Sequence, residues 1–582
     1  MKWTLPILLC IFWSFVNASK RFLEEPILEI ETPLEVKCRE PICFGPLSGI
    51  YCGGPILTTS WQFGLQKTCP GDKLKMSADE VYENFHRLLY PIRKADFETF
   101  CEENFEQINY LQIAELKDWM PNPKFLEKFD DLKEKKLGQE IHDRWNRLAR
   151  EFTSDVNDNP GRYPLIPVDH PFIVPGGRFD VYFYWDTYWI IKGLLVSEMF
   201  ETAKGIIQNF SDLVNQFGYI SNSGNLQLTR RSQPPLFGHM VWEYTRATKK
   251  YKQSWLQSVE REMEFWERNR TTSINGHSIS RWTHQNYSAD MSTLHTDQII
   301  PVDLNVIIAK NYEYMAIYAN HYGKTDDVGR FRWKCERLTR AIEANLWDEQ
   351  RGAWFDYDMT TKKKNFNFYP SNVYPLMLTG FEKYSKQVEK YIYSTGVLDF
   401  RGGIPSGLPT ESTQQWDFPN VWAPNQHFII KSFMASNSSF LHQKAKEQAA
   451  NFIETVYNGL YNPPSGKVGG IWEKYDARSS EGMPGAGGEY SVQEGFGWTN
   501  GAVLDLMWMF RAHKRMDKAA DLELTSGQYS ALVYAAAGFC ALVAILVLVK
   551  GLVFRKNTQY EHVGDEAAEN LLANNNNDED ML

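Results

Sequence analysis

Between Ser77 and Arg511, apolar residues recur every three or four positions in long stretches, separated by loops full of Gly, Pro, Trp and Asp. That period puts apolar side chains on one face of a helix. In "PVDLNVIIAKNYEYMAIYANHYG", Leu304, Ile308, Met315 and Ala319 share a face, Ile307 lies beside them, and Gly323 supplies the stop. The same spacing predicts helical stretches over 187–217, 237–269, 328–346, 424–435 and 440–457. β-like runs are few and short. Each amphipathic helix needs neighbours over its apolar stripe, so recurring helix pairs predict an all-α body, a toroid of helical hairpins spanning 76–517. Helix count alone does not separate a closed ring from an open solenoid.

Two apolar runs break this pattern. "MKWTLPILLCIFWSFVNASK" has one early Lys and small residues near Ala18 and Ser19, so residues 1–18 read as a cleaved secretory signal. From Ala531 to Val549 the chain is apolar and uncharged, long enough to cross a hydrocarbon layer as a transmembrane helix over 529–553. Lys550, Arg555 and Lys556 follow it, which predicts an inside C-terminus and a large outside part, that is, a single-pass protein of the plasma membrane. Residues 518–528 would be a polar linker and 554–582 an acidic cytoplasmic tail too poor in apolar residues to fold. Residues 19–75 are rich in Cys, Pro and Gly and read as irregular. Outside the signal and the span there are six cysteines, Cys38, Cys43, Cys52, Cys69, Cys101 and Cys335. Four crowd into 38–69, which predicts a stapled N-terminal segment with the pairing open. Asn209, Asn269, Asn286 and Asn437 head glycan sequons.

Net charge is −10 with no long basic run, which excludes nucleic acid as a partner, since phosphate binding needs clustered Lys and Arg. No CxxC pair or His cluster suggests a metal, and no cofactor is expected. The aromatic fraction is 14%, which suits both a large core and stacking on sugar C–H faces.

Four polar, aromatic, glycine-rich loops at helix ends are the candidate chemistry, because such loops line pockets. In "PGGRFDVYFYWDTYW", Arg178, Trp185 and Asp186 would converge on a small polar ligand; the alternative is a buried Arg–Asp pair closing a helix end. In "NSGNLQLTRRSQPP", Asn222, Arg231, Ser232 and Gln233 offer donors and acceptors for vicinal hydroxyls; the alternative is a polar turn before a helix. "QQWDFPNVWAP" contributes Trp416, Asp417 and Trp422, and "WEKYDARSSEGMPGAGGEYSVQEGFGWTNG" holds Glu473, Asp476, Glu489 and Glu494.

These loops, with "RSQPP", "IPVDLN" and "LWDEQRGAWFDYD", resemble the signatures of the trehalase family, in the family's order, over about 75–512. The added span resembles the membrane-bound members from animals. The resemblance implies an (α/α)6 barrel that splits α,α-trehalose into two glucoses with inversion, without metal or cofactor. It implies that Arg178, Trp185, Asp186, Asn222, Arg231, Ser232, Gln233 and Glu489 hold the sugar and that Glu473 is the general base. The first signature departs from the family at Val181, usually Glu, and Phe183, usually Tyr; the lost polar pair is expected to loosen that loop.

Inverting cleavage needs a carboxylic acid to protonate the leaving oxygen and a carboxylate to activate water, about 6.5–9.5 Å apart. The acid should have a raised pKa and the base an ordinary one. The family's acid sits in a "GWDFSSRW"-like motif behind an "RPES"-like sugar-binding loop, and this chain has neither. "EFWERNRTTSINGHSISRW" resembles the sequence before that region and "NYSADMSTLHTDQIIPVDLN" the sequence after it. The flanks meet with the intervening segment gone. His277 and Asp290 are the nearest substitutes; His277 falls in the acid's place if Ser280-Arg281-Trp282 is taken as the end of the motif, but under either alignment the Asp is absent. The chain is therefore expected either to be an enzyme weakened at this point or a sugar- or partner-binding ectodomain without turnover.

Overall fold

A computed structural model describes residues 47–511 except 66–67, 230–232, 283–295, 413 and 489, together with the strand Glu29–Ile30 and the backbone of the last helix to Ala520. The expected signal, span and tail lie outside these residues, as do Cys38, Cys43, Asn286 and the expected linker beyond Ala520; its first residues, 518–520, continue the last helix. Among the described residues no helix is long and apolar enough to cross a membrane.

The longer helices from Leu132 onward are α1 (Leu132–Leu148), α2 (Asp186–Val196), α3 (Phe200–Phe217), α4 (Phe237–Thr248), α5 (Gln253–Asn269), α6 (Val302–His321), α7 (Thr325–Leu346), α8 (Ser385–Thr395), α9 (Ala423–Met434), α10 (Ser439–Tyr461) and α11 (Gly497–Ala520). Two expected stretches, 187–217 and 237–269, are each a hairpin of two helices. The chain turns back at Glu198 (φ 59°) and Lys249 (φ 56°), left-handed positions held by residues that do not normally mark a stop. The strands are two to four residues long. One pair matters for the site: Asn420–Trp422 runs antiparallel to Lys474–Asp476, with Trp422 opposite Lys474.

The ring is closed. α2 packs on α4, α4 on α6, α6 on a 3-10 turn at Pro370–Met377, that turn on α9, α9 on α11, and α11 on α2. α3, α5, α7 and α10 pack outside these inner elements. Closure is tightest between α2 and α11, through two glycines. A Cβ at Gly501 would overlap the Trp189 carbonyl, and one at Gly193 would come 2.8 Å from the Gly501 Cα. Gly501→Ala is therefore expected to destabilise the protein by about 2–3 kcal/mol, read as a lower urea midpoint, because backbone must move to admit one methyl.

Inside the ring lies a buried charge cluster built from four inner helices. Lys192 on α2 bridges Glu243 on α4 and Asp505 on α11, at 2.9 Å each. Arg246 is 3.0 Å and Lys431, on α9, 3.3 Å from Glu243. His427 Nε2 is 2.7 Å from Asp505. Burial pushes the Glu243 carboxyl up, but Lys192, Arg246 and Lys431 outweigh it and hold the group well below the ordinary range.

At the periphery one cysteine pairing left open by the sequence is filled in, and one glycan expectation is corrected. Cys69 pairs with Cys101, outside the 38–69 cluster, tying the N-terminal segment to the helix Lys94–Asn104. Asn209 cannot carry a glycan in this fold: it is 4% exposed, its Nδ2 donates to the His170 carbonyl at 2.8 Å and its Oδ1 accepts the His170 amide at 2.9 Å. Asn269 and Asn437 are exposed.

Candidate active site

Four loops at the start of inner elements meet over the ring. Asp186 opens α2, where the helix N-terminus favours negative charge, and is 3% exposed. Burial, then repulsion from Glu473, pushes its pKa up to about 8. Arg178 is exposed and is not paired with Asp186, so the reading of these two as a helix-closing ion pair fails. Its amide donates to Gln493 Oε1 at 2.8 Å, and its guanidinium carbon lies 5.1 Å from the centre of the Tyr490 ring.

Glu473 is 1% exposed. Tyr490 donates its hydroxyl to Glu473 Oε1 at 2.7 Å, and the Gln493 amide reaches Oε2 at 3.4 Å. The residue is fixed on both sides: its own amide donates to the Gln493 carbonyl at 2.8 Å and its carbonyl accepts Trp498 Nε1 at 2.9 Å. Burial raises its pKa more than Tyr490, the Gln493 amide, Lys474 and Arg178 lower it. The expectation of an ordinary value for this group is thus corrected, because the carboxylate is buried.

The recess is floored by indoles. Trp185 lies 5.4 Å from Trp189, 5.4 Å from Trp498 and 5.9 Å from Trp416; Trp416 stacks on Trp422 at 4.0 Å. Such a surface suits the C–H face of a pyranose. The Trp185 amide donates to Gln233 Oε1 at 2.8 Å, which brings the second loop to the first. Asn222 is half-buried beside them, and its carbonyl accepts the Tyr184 amide at 3.0 Å. Val181 and Phe183, where the lost polar pair was expected to loosen the loop, sit against apolar neighbours. Val181 is buried and Phe183 meets Phe179 edge-on at 5.3 Å, so apolar packing stands where a polar pair was expected.

Arg178, Trp185, Asp186, Asn222, Gln233 and Glu473 therefore share one region; Arg231, Ser232 and Glu489 lie outside the described residues. The other acids of the fourth loop are engaged elsewhere: Asp476 with Arg478 at 2.5 Å and Glu494 with Arg144 at 2.7 Å. Asp417 accepts the Ser412 hydroxyl at 2.5 Å. His277 sits at the turn of a hairpin, Thr271–Ile274 with His277–Ser280, that packs on α7, and Asp290 lies outside the described residues. Sequence reasoning missed Tyr490, Gln493 and Trp498, which share the "GGEYSVQEGFGWTNG" stretch with Glu489 but carry no acid. Among the described residues no group of His, Cys, Asp and Glu could hold a metal ion.

The arrangement can shelter two carboxyls of raised pKa beside an indole floor and admit a small polyol. A family model described as Trehalase matches residues 62–279 and 277–511, in two parts that meet at 277–279. The chain is similar to the trehalases of Oryctolagus cuniculus and Homo sapiens, 34% identical in each case over 528 aligned positions covering 79% of this chain and 89% of the relative. It is also similar to a solved structure, the neutral trehalase Nth1 of Saccharomyces cerevisiae, with TM-score 0.49 and 18% identity over 60% of this chain and 75% of that one.

Proposed function

Because the chain belongs to the trehalase family, we propose that its site is built to hydrolyse α,α-trehalose to two glucose molecules with inversion, in an (α/α)6 barrel. The observation that carries this is the meeting of buried Glu473 and Asp186 over an indole floor. In this reading Glu473 is the general base. It takes a proton from water while that water attacks the anomeric carbon, and Tyr490 and the Gln493 amide aim its oxygens. Arg178, Trp185, Asp186, Asn222, Arg231, Ser232, Gln233 and Glu489 hold the sugar, and no cofactor takes part. Asp186, protonated near neutral pH, donates to a sugar oxygen rather than accepting from one.

The acid that should protonate the leaving glucose belongs to the segment missing between Trp282 and the IPVDLN stretch. The break of the family match at 277–279 supports that reading. It also favours a second one: a sugar-binding ectodomain with little or no turnover. The apolar run after Ala531, followed by Lys550, supports a cell-surface location with one span and a secretory signal at the N-terminus.

The test is glucose release from trehalose by the purified chain and by Glu473→Gln. The substitution should cost about 10²–10⁴-fold of whatever turnover the parent has. The base must be ionised, and its pKa is raised, so kcat/KM should fall as pH drops through a value above the ordinary glutamate range. Equal rates for parent and variant would remove Glu473 from the reaction. Binding of a basic azasugar with no turnover in either protein would select the second reading.

A further inference from the structure

The residue after Glu473 has no part in the reaction described, yet it is buried just as deeply: Lys474 is 1% exposed. Its position on the strand opposite Trp422 carries its stem past that indole, with the ammonium 5.0 Å from the ring centre. Among the described residues no carboxylate lies within ion-pair distance of Nζ. Burial pushes the pKa down to about 8, and the charge of Glu473 only partly opposes it. A buried cation without a counter-ion is costly and persists only where its donors are needed.

Those donors meet two backbone carbonyls. Lys474 Nζ donates to Gly487 O at 2.8 Å and to Ala486 O at 3.1 Å. The same loop is held from below, with Gly485 N donating to Lys474 O at 2.9 Å and Ala486 N to Asn420 Oδ1 at 2.9 Å. The approach is close enough to require glycine at 485, since a Cβ there would overlap Asn420 Oδ1. Three residues after Gly487 the chain arrives at Tyr490, whose hydroxyl meets Glu473. The loop thus leaves Lys474 and returns to its neighbour in sequence.

We propose that Lys474 is a positioning residue whose ammonium latches the carbonyls of Ala486 and Gly487, so that the glycine-rich loop delivers Tyr490 to Glu473. The functional part of this rests on Glu473 as the base; the latch itself does not. A neutral side chain would leave both carbonyls to water and free the segment between Gly485 and Gln493, while α2 and α11 keep their own packing.

Hydrogen exchange on the full chain without sugar tests the latch independently of turnover. In Lys474→Met, the hydrogen-bonded amides of this loop, Gly485, Ala486 and Gln493, should exchange about 10- to 100-fold faster, with α2 and α11 unchanged. Lys474→Arg, which keeps a cation and its donors, should recover most of the protection. Parent-like protection of those amides in a folded Met variant would overturn the latch. So would an Arg variant as unprotected as the Met one. Should the Met variant lose protection everywhere, Lys474→Leu, which likewise has no donor, is measured in its place and judged by the same two outcomes. Because no sugar is present, a failed latch is distinguishable from a failed assignment of Glu473, which only the Glu473→Gln rates address.

Discussion

Restoring, between Trp282 and Asp290, the segment that carries the family's general acid should raise trehalose turnover by about 10²–10⁴-fold. Trehalose joins two anomeric carbons, so the departing group is a glucose whose oxygen must gain a proton as the bond breaks. General acid catalysis typically supplies that factor. Among the described residues, neither Asp186 nor His277 is placed to replace it. Asp186 is protonated near neutral pH, but it sits at the mouth of α2 beside the base. His277 occupies a hairpin turn against an outer helix, and an acid displaced by even about 1 Å can cost on the order of a hundredfold. The measurement is glucose release by the chain with and without the insertion. A third protein, carrying the insertion with its acid changed to the amide, separates chemistry from repair of the wall. The amide form should remain near the level of the chain as it stands. A chain that already works as fast as the restored one would show that the acid is elsewhere.

Glu243→Gln should lower the free energy of unfolding by about 3–5 kcal/mol, read from urea denaturation at neutral pH. The substitution is nearly isosteric, so the loss is electrostatic: Lys192, Arg246 and Lys431 all face Glu243. Without it, three cations share Asp505, and leaving a buried charge without its partner costs that much. The pH dependence follows from the sign of the shift. Glu243 titrates well below its unfolded value near 4.5. Its contribution is therefore complete above that value and is lost as pH falls through the lower, folded-state one. The parent should lose stability steeply on acidification, and the Gln variant should show a shallower loss. Equal slopes and equal stabilities would mean that the cluster contributes nothing net.

Much of the ring was legible because its helices bury a wide apolar face at a clear period. Val302–His321 matches the periodic stretch almost end to end. What escaped had physical reasons. α1 reads "LKEKKLGQEIHDRWNRL", where Leu137, Ile141 and Trp145 make a thin stripe in a charged stretch. The breaks at Glu198 and Lys249 escaped because neither residue is a Gly or Pro. Asn209 looked like a glycan site because a sequon carries no information on burial. At the site, Asp186 and Glu473 were picked out from their polar, glycine-rich loops, and family likeness added the roles of sugar ligand and base. Their mutual repulsion and shared dryness belong to the folded chain, since no spacing rule links residues so far apart. Lys474 was quoted within a motif and passed over, because a lysine beside a glutamate reads as a solvated charge until its ammonium is seen facing two carbonyls.

The contact of α2 with α11 also bears on how the protein is made. The recess draws one wall from early in the body and the other from near its end, so the growing chain cannot assemble the site until Gly497–Ala520 has emerged from the ribosome. Ribosome-bound intermediates that end before Gly497 should hold a row of unclosed helical hairpins, with the apolar flank of α2 open to chaperones. Closure of the ring thus waits for the final helix to emerge.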